Sequence, residues 1–189
     1  MAVRKVLFDG DESTKLCSFS SPLGWLGVAG QDEFVRAVFV GHPSVASVRQ
    51  AATSWLAEYA ATGSFEEADW FPRLRQQLLD YSNGERVEFD EFHLELPERT
   101  PFRDKVLATT RRLDYGTTTT YGDLARKVGH VGAARAVGTV MSTNRFPILI
   151  PCHRVLASGG KLGGYTSPAG TDLKQRLLDM EQAVDSIRI

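Results

Sequence analysis

The sequence predicts an α/β domain followed by a mostly α-helical domain. Short apolar stretches broken by Gly and Pro occupy the first hundred residues, and helical periodicity dominates afterwards. The charge changes sign at the same place. Residues 1–100 hold nine Lys and Arg against sixteen Asp and Glu, a net charge of −7, whereas residues 101–165 hold ten against three, a net charge of +7. We therefore place a boundary at Pro97–Arg99, with domains at 1–96 and 97–189.

Composition narrows the classes of function. With 42% hydrophobic and 24% charged residues over 189 positions, the chain has the composition of a globular protein. No apolar run reaches the roughly 18 residues that span a bilayer, and Asp9, Asp11 and Glu12 stand where a signal peptide would be apolar. We expect a cytoplasmic protein (nuclear in a eukaryote) with no membrane partner. The basic block favours a polyanionic partner, although a solvated surface of mixed sign has the same composition.

The positions of Gly and Pro and the spacing of apolar residues predict the strands and helices of the first domain. Three short apolar stretches, Leu16–Phe19, Gly24–Ala29 and Phe34–Val40, predict an antiparallel sheet. Two stretches then have helical spacing. The predicted elements that follow the sheet are a helix from Val45 to Tyr59 with a stop at Gly63, a helix from Pro72 to Tyr81, and strands over Val87–Phe89 and Phe92–Leu96.

The second domain begins with a helix that has Thr100 as its N-cap and Pro101 in its first turn. Thr120 and Asp123 have the spacing of a capping box at the start of the next helix, which Gly129 ends. A further helix runs to about Thr143. Two short helices joined by a Gly-containing turn within a basic block predict a helix-turn-helix.

The second helix of this pair has two unlike faces. Ala134, Val137 and Met141 form an apolar stripe. The opposite face is nearly flat and consists of Arg135, Gly138, Thr139 and Ser142. Small residues let a helix approach a DNA groove closely, but they also allow tight packing against another helix. Asn144, just beyond, is by default a C-terminal cap.

Cys152 follows the apolar run Ile148–Ile150, which we expect to be buried and strand-like. His153 is the adjacent titratable group, and Glu181 falls on the inner face of a last helix that starts near Thr171. A nucleophile, a base and a group that orients the base are the usual parts of nucleophilic catalysis. The alternatives stay open: an inert core cysteine and an exposed Glu in a last helical turn.

The cysteines and histidines do not predict a metal site. Cys17 and Cys152 allow one disulfide at most, which favours a reducing compartment and leaves Cys152 free for chemistry. No ligand spacing such as CxxC or HxxxH occurs. We therefore expect no metal and no cofactor.

At this point the motifs resemble those of a known family. The run PCHRV at 151–155, preceded by Asn144 and Ile148–Ile150, resembles the active-site signature of the O6-alkylguanine-DNA alkyltransferases. Further matching segments are YG at 115–116 and 121–122, AARAVG at 133–138, GY at 164–165, and LL with Glu181 at 177–181. The similarity runs from about Pro72 to Ala183, and SPLG at 21–24 resembles the family's N-terminal half.

The resemblance implies a ribonuclease-H-like α/β domain at the N-terminus and a mostly α C-terminal domain with a helix-turn-helix (winged-helix-like). It implies binding of double-stranded DNA through the minor groove and flipping of the damaged nucleotide into a pocket. The alkyl group of O6-alkylguanine, and that of O4-alkylthymine if it is accepted, would pass irreversibly to the protein, which is used once. We expect a monomer.

The resemblance also implies roles for catalytic residues. Cys152 would be the nucleophile and alkyl acceptor, His153 would deprotonate it through a water, and Glu181 would orient His153. Asn144 would brace the active-site turn. Tyr121 would crowd the phosphate of the flipped nucleotide and assist protonation of the base at N3.

Further roles concern DNA and the base pocket. Arg135 would fill the stack that the flipped base leaves, and its helix would face DNA through Ala134, Gly138, Thr139 and Ser142. The carbonyls of Cys152 and Val155 would bind the guanine amine. Tyr165 and the backbone N–H of Thr166 would shape the pocket and contact O6. Met141 would also belong to the pocket.

Two departures from the family pattern bear on function. Residues 43–68 are longer than expected and have no role assigned from sequence. The run SPAG at 167–170 makes the loop after Tyr165 longer than in the human form, which affects the range of substrate sizes. One alternative function is lesion binding without transfer, although the family's non-transferring relatives lack the nucleophilic Cys that is present here. The other is a cysteine hydrolase that uses Cys152 and His153.

Overall fold

The computed structural model describes residues 14–59, 64–96 and 100–186. The strands are β1 (Thr14–Ser21), β2 (Gly24–Gln31), β3 (Phe34–His42), β4 (Phe65–Glu67), β5 (His93–Leu94), β6 (Thr119–Thr120) and β7 (Val155–Leu156). The helices are α1 (Val45–Tyr59), α2 (Pro72–Ser82), α3 (Pro101–Arg111), α4 (Tyr121–Lys127), α5 (Ala134–Ser142) and α6 (Gly170–Ser186). The predicted helix stop at Gly63 and the predicted boundary at Pro97–Arg99 lie outside the described residues.

The first half is a mixed sheet with helices, and the second half is mainly helical. Within the described residues the larger sheet has the order β4-β1-β2-β3-β5. Strands β1, β2 and β3 pair antiparallel, as the sequence predicts, while the short edge strands β4 and β5 run parallel to β1 and β3. A second small sheet pairs β6 with β7.

Helix α1 covers one face of the sheet, which accounts for much of the segment 43–68. The cluster on this face consists of Leu16, Ala29, Ala37, Val48, Ala52, Trp55 and Leu56. The helix lies so close that a Cβ at Gly27 would collide with Val48. Since alternate strand residues point to opposite faces, the neighbours of these residues along β1 and β2 belong to a different core.

That other core is shared by the two halves of the chain. It includes Val28 of β2 and Tyr81 of α2 together with Val106 of α3, Leu149 and Leu177 of α6. Residues far apart in sequence come together in this core, among them Tyr81 of α2 and Glu181 of α6. The candidate site lies in this shared core.

The predicted strand at Val87–Phe89 is wrong. The backbone there is irregular, and a two-residue strand forms only later, at His93–Leu94. The reason is a side chain from α3. Arg111 Nη2 donates to the carbonyls of Phe89, Asp90 and Phe92 at 2.7, 3.1 and 2.8 Å, which gives this backbone partners that a neighbouring strand would otherwise supply.

The helix starts in the second half agree with the sequence. Thr100 Oγ1 accepts from Arg103 N–H at 3.2 Å, and Thr120 Oγ1 accepts from Asp123 N–H at 3.0 Å. Between α4 and α5, Gly129 and Gly132 have φ of +85° and +84°, a conformation that favours glycine. The tight turn of the predicted helix pair therefore forms.

Candidate active site

Asn144 holds the turn that carries the cysteine. Its Nδ2 donates to the Ile150 carbonyl at 2.9 Å, and its Oδ1 accepts from the Phe146 N–H at 3.1 Å. The interpretation of Asn144 as a helix cap is wrong, because Thr143 is the C-cap of α5. The amide instead joins both ends of the following turn.

The run at 148–150 is buried as expected, but it is not strand-like. These residues form a turn in which Ile148 has φ of +74°, a strained conformation for a β-branched side chain. Ile148, Leu149 and Ile150 are each 2% exposed. Burial and the Asn144 hydrogen bonds therefore maintain a backbone shape that the sequence pattern does not predict.

Cys152 begins a 3₁₀ turn, Cys152–Arg154, and is 7% exposed. Burial raises the pKa of its thiol, since the thiolate would lose its hydration. A hydrogen bond with Asn144, the charge of Lys174 and the backbone N–H groups of Cys152 and His153 act in the opposite direction. The thiol is thus protonated at rest, but the groups around it stabilise a thiolate once a base removes the proton.

His153 and Glu181, which the sequence paired, lie together in the structure. His153 is fully buried, and its Nε2 is 2.8 Å from Glu181 Oε1. An ionised carboxylate only accepts hydrogen bonds, so Nε2 carries the proton and Nδ1 has the free lone pair. Nδ1 has no hydrogen-bond partner among the described residues. Burial lowers the pKa of His153 in spite of Glu181, so the imidazole is neutral and Nδ1 is able to accept a proton.

Glu181 receives several further hydrogen bonds. Arg154 binds both carboxylate oxygens, with Nε 2.9 Å from Oε2 and Nη2 2.8 Å from Oε1. The Tyr81 hydroxyl donates to Oε1 at 2.6 Å and the Gly116 N–H to Oε2 at 3.1 Å. Burial alone would raise the pKa of Glu181, but the hydrogen bonds from His153 and Arg154 outweigh it and hold the pKa well below its usual range. The carboxylate is therefore ionised and fixed in orientation.

Three residues of this site were not predicted from the sequence: Tyr81, Arg154 and Lys174. Lys174 is 0% exposed and donates from Nζ to the Val155 carbonyl at 2.7 Å. Burial lowers the pKa of Lys174, and the nearby Cys152 acts in the opposite direction. A buried ammonium group thus lies near the sulfur.

Helical spacing could have indicated two of them. Lys174 precedes Glu181 by seven residues, which places both on the same face of α6. Tyr81 follows Leu78 by three and shares the buried face of α2. Spacing gives no indication that Arg154, rather than His153 alone, pairs with Glu181.

Two tyrosines border the thiol. Burial raises the pKa of both Tyr121 and Tyr165, and the neighbouring Cys152 raises it further. The buried Tyr165 hydroxyl lacks a hydrogen-bond partner in the described parts of the chain. Lys174 Nζ lies 5.8 Å from the centre of the Tyr121 ring. Both hydroxyls are therefore protonated at neutral pH and able to donate.

Two other predicted pocket residues, Met141 and Thr166, lie near the end of α5 and in the loop after Tyr165. Met141 is 6% exposed, and the Thr110 hydroxyl lies 3.8 Å from its sulfur. Thr166 is exposed, and its hydroxyl donates to the Ser142 carbonyl at 2.9 Å, which links the loop after Tyr165 to the end of α5. The loop is thereby tied to the helix that faces outward.

A cleft of about 630 Å³ lies beside the loop that follows Tyr165. Its walls include residues of β3, Trp55 of α1 and the loop 165–168. Asn144 and Tyr165 also border it. Both of these residues also interact with Cys152.

The outward face of α5 is uncovered. Arg135, Thr139 and Ser142 are exposed, while Ala134 and Gly138 are half-buried. A Cβ at Gly138 would meet no protein atom within 4 Å. No helix of the described chain packs on this face, so helix packing does not explain its small residues.

The residues that the structure describes contain no group of three or more His, Cys, Asp or Glu side chains that could hold a metal ion. None of their helices combines the length and apolar character needed to cross a membrane.

The chain is similar to proteins of known activity. Residues 101–183 match the family described as 6-O-methylguanine DNA methyltransferase, DNA binding domain. The methylated-DNA–protein-cysteine methyltransferase of Methanosarcina acetivorans is 35% identical over 164 residues, which is 86% of this chain and 95% of the relative. The constitutive methylated-DNA–protein-cysteine methyltransferase of Bacillus subtilis is 33% identical over 163 residues, covering 86% and 92%.

Solved structures have a similar fold. The crystal structure of Mycobacterium tuberculosis OGT in complex with DNA has a TM-score of 0.72 and 30% identity, and the match covers 89% of this chain and 93% of that chain. The O6-methylguanine-DNA methyltransferase of Pyrococcus kodakaraensis strain KOD1 has a TM-score of 0.67 and 26% identity, covering 88% and 98%.

Proposed function

Because the chain belongs to the 6-O-methylguanine DNA methyltransferase family, we propose that Cys152 is the residue that receives the alkyl group. The protein acts on alkylated DNA and repairs it by direct reversal, with one of its own cysteines as the acceptor. The substrate is O6-alkylguanine in double-stranded DNA, and the product is unmodified guanine.

The contrast between the two cysteines carries the assignment to Cys152. Burial and the charge of Asp69 raise the pKa of Cys17 to about 12, and its Sγ donates to Asp69 Oδ1 at 3.5 Å. A thiol beside a carboxylate does not form a nucleophilic thiolate. Cys152 instead lies near a buried ammonium, Lys174, and next to a neutral imidazole, His153.

His153 is the base in the proposed reaction. Its Nδ1 takes the thiol proton of Cys152 through a water, since this nitrogen has a lone pair and no partner among the described residues. The Nε2–H remains bonded to Glu181, which stabilises the imidazolium that forms. Lys174 and the amide of Asn144 stabilise the thiolate.

The thiolate of Cys152 then attacks the alkyl carbon in line. The sulfur–carbon bond forms as the carbon–O6 bond breaks, and the electron pair of that bond passes to the guanine. Tyr121 donates a proton at N3, and the proton that His153 took from the thiol restores the tyrosine through solvent. The thiol thus loses one proton and the guanine gains one. The thioether is not a leaving group, and the protein therefore acts once.

Binding groups around the sulfur stabilise the departing base. The backbone N–H of Thr166 and the buried hydroxyl of Tyr165 are donors for O6 and the neighbouring ring edge. The carbonyls of Cys152 and Val155 accept from the exocyclic amine. Each already accepts one hydrogen bond, from the Val155 N–H and from Lys174 respectively, and each retains a second lone pair.

Helix α5 is the proposed DNA-contacting element. Its exposed face presents Arg135 as the only long side chain beside small ones, Ala134, Gly138, Thr139 and Ser142. A flat helix approaches the minor groove closely, and Arg135 then fills the space that the flipped nucleotide leaves. The +7 charge of residues 101–165 favours the approach to DNA.

The architecture supports two further assignments. The neighbour order β3-β2-β1-β4, with β4 parallel to β1, supports a ribonuclease-H-like domain at 1–96. The pair α4 and α5 with the strands β6 and β7 supports a winged-helix-like domain at 97–189. We place this monomeric protein in the compartment that holds the DNA, which is the cytoplasm of a prokaryote or the nucleus of a eukaryote.

The proposal is tested by mass spectrometry after incubation with a duplex that contains O6-methylguanine. One methyl mass should appear on the peptide that contains Cys152. The variant Cys17→Ala should be modified like the wild type, whereas Cys152→Ala should bind the duplex and gain no mass.

Other outcomes point to other functions. Tight binding of the lesion by folded wild-type protein without a mass change would mean lesion recognition without transfer. Repeated turnover of an ester or amide without DNA would mean a cysteine hydrolase. A methyl group on Cys17 would leave the family reaction intact but overturn the assignment of Cys152.

A further inference from the structure

Tyr81 connects the N-terminal half of the chain to the catalytic group. It lies on α2, a hundred residues before Glu181, and is 0% exposed. Its hydroxyl donates to Glu181 Oε1 at 2.6 Å and is 3.3 Å from His153 Nε2.

The ring of Tyr81 is held on two sides, so its hydroxyl has a fixed direction. The ring meets Phe89 edge-on at 5.9 Å between centroids and Tyr115 edge-on at 6.1 Å. Burial raises the pKa of the Tyr81 hydroxyl, and the charge of Glu181 raises it further, so it remains a neutral donor. A buried hydroxyl needs a partner, and Glu181 supplies it.

We propose that Tyr81 is a positioning residue for alkyl transfer: its hydroxyl fixes Glu181 Oε1 and shares that oxygen with His153, which tunes His153 as the base. The role in transfer rests on the proposed function. The N-terminal half of the protein thereby contributes to the chemistry as well as to the fold.

The tuning follows from competition for one oxygen atom. Oε1 accepts hydrogen bonds from Tyr81, His153 and Arg154. Each donor withdraws part of the negative charge of Oε1, so less of it is left to attract the other two donors. Loss of the Tyr81 hydroxyl leaves more charge for the imidazolium of His153. The protonated form of the base is then more stable, and the base becomes inactive at a higher pH.

The charged and titratable groups around His153 come from several elements. They are Tyr81 from α2, Cys152 and Arg154 from the active-site turn, Tyr165 from the pocket loop, and Lys174 and Glu181 from α6. Arg154 and Lys174 favour the neutral imidazole and Glu181 favours the charged one. Removal of the Tyr81 hydroxyl changes the charge that Glu181 offers to His153 and also removes the 3.3 Å contact with Nε2.

The test compares Tyr81→Phe with the matched control Tyr115→Phe. Each change removes one hydroxyl from a ring of the same edge-on pair, but the hydroxyl of Tyr115 donates to the Gly84 carbonyl at 3.4 Å instead. Single-turnover rates with an O6-methylguanine duplex are measured across pH. For Tyr81→Phe we expect the acidic limb to move up by roughly half to one pH unit and the plateau rate to fall about three- to ten-fold. The control should leave the limb in place.

A second readout does not depend on transfer. In the Cys152→Ala background, the ring ¹⁵N and Nε2–H signals of His153 should shift on Tyr81→Phe and not on Tyr115→Phe. Unchanged His153 signals would overturn the proposal whether or not the protein transfers alkyl groups. A rate loss with an unmoved acidic limb would mean that Tyr81 serves packing alone, and would also overturn it.

A ring-fluorinated tyrosine at position 81 covers the case in which Tyr81→Phe does not fold. It keeps the hydroxyl and makes it a stronger donor, so the acidic limb should move to lower pH. Movement to higher pH, or none, would contradict the competition for Oε1. If wild-type protein shows no methyl transfer, the proposed function fails, and the His153 signals still decide whether Tyr81 tunes the imidazole.

Discussion

Arg154 and Glu181 form a two-point ion pair inside the shared core, with side chains that are 9% and 1% exposed. Arg154 Nη1 also donates to the Leu113 carbonyl at 2.6 Å. The carboxylate that contacts His153 is therefore already neutralised by a cation. This explains how a buried His153 remains neutral beside a carboxylate and is free to act as a base.

Glu181→Gln should destabilise the protein and slow transfer. The change leaves the Arg154 charge buried without its counter-ion, and breaking a buried pair in this way costs about 3–5 kcal/mol. Urea unfolding would measure the loss, and single-turnover kinetics should show transfer slowed about ten-fold or more. Glu67→Gln, in the exposed pair with Arg49, is the control and should change little. Equal effects of the two changes would contradict the role of Glu181.

The free energy of unfolding should fall as the pH drops below neutral. The pKa of His153 is lowered from its usual 6.5 in the folded state. The stabilising contribution of the neutral imidazole is therefore complete above pH 6.5, and it is lost as the pH falls from there through the lowered pKa. Glu181, whose pKa is lowered from 4.5, adds a second loss below that value. Urea midpoints between pH 3 and 8 would measure both.

The variant His153→Gln identifies how much of the pH dependence of unfolding comes from His153. It should flatten the slope just below pH 6.5 without removing it, because burial also lowers the pKa of His42. The steeper loss near pH 4 should persist, since Glu181 remains. A wild-type protein equally stable at pH 5 and pH 8 would contradict the neutral state of His153.

Lys174→Met should reduce the reactivity of Cys152. The change removes a buried positive charge near the sulfur, so the pKa of the thiol should rise and thiolate formation become harder. We expect modification by iodoacetamide and methyl transfer to slow about three- to ten-fold at neutral pH. Lys161→Met, at an exposed lysine, is the control. If the pH dependence of Cys152 modification were unchanged, Lys174 would only donate its hydrogen bond to the Val155 carbonyl and would not affect the thiol.

Arg135→Ala should separate DNA handling from chemistry. The side chain lies on the exposed face of α5 and has no part in the Cys152 network, so the reaction with free O6-benzylguanine should be nearly unaffected. Repair of an O6-methylguanine duplex should slow about ten-fold or more, because base flipping loses its wedge. Arg126→Ala on α4 tests for a general effect of positive charge. Equal losses on both substrates would argue against the wedge.

Local patterns predicted the elements whose causes are local. The caps at Thr100 and Thr120, the helix from Val45 to Tyr59 and the three antiparallel strands follow from neighbouring residues alone. The run at 148–150 misled the prediction because a continuous apolar stretch has no period to separate a strand from a buried turn. Its shape depends on Asn144, whose two hydrogen bonds close that turn.

The sequence by itself determined the family, the acceptor candidate and the pairing of His153 with Glu181, since these depend on motifs and on helical spacing. Only the tertiary structure decided the state of that pair. Arg154 and Tyr81 reach Glu181 because α2, α6 and the active-site turn meet in one core, and contacts between residues a hundred positions apart leave no periodic trace in the chain. Burial then sets the protonation of His153 and Cys152, and burial is a property of the packed molecule.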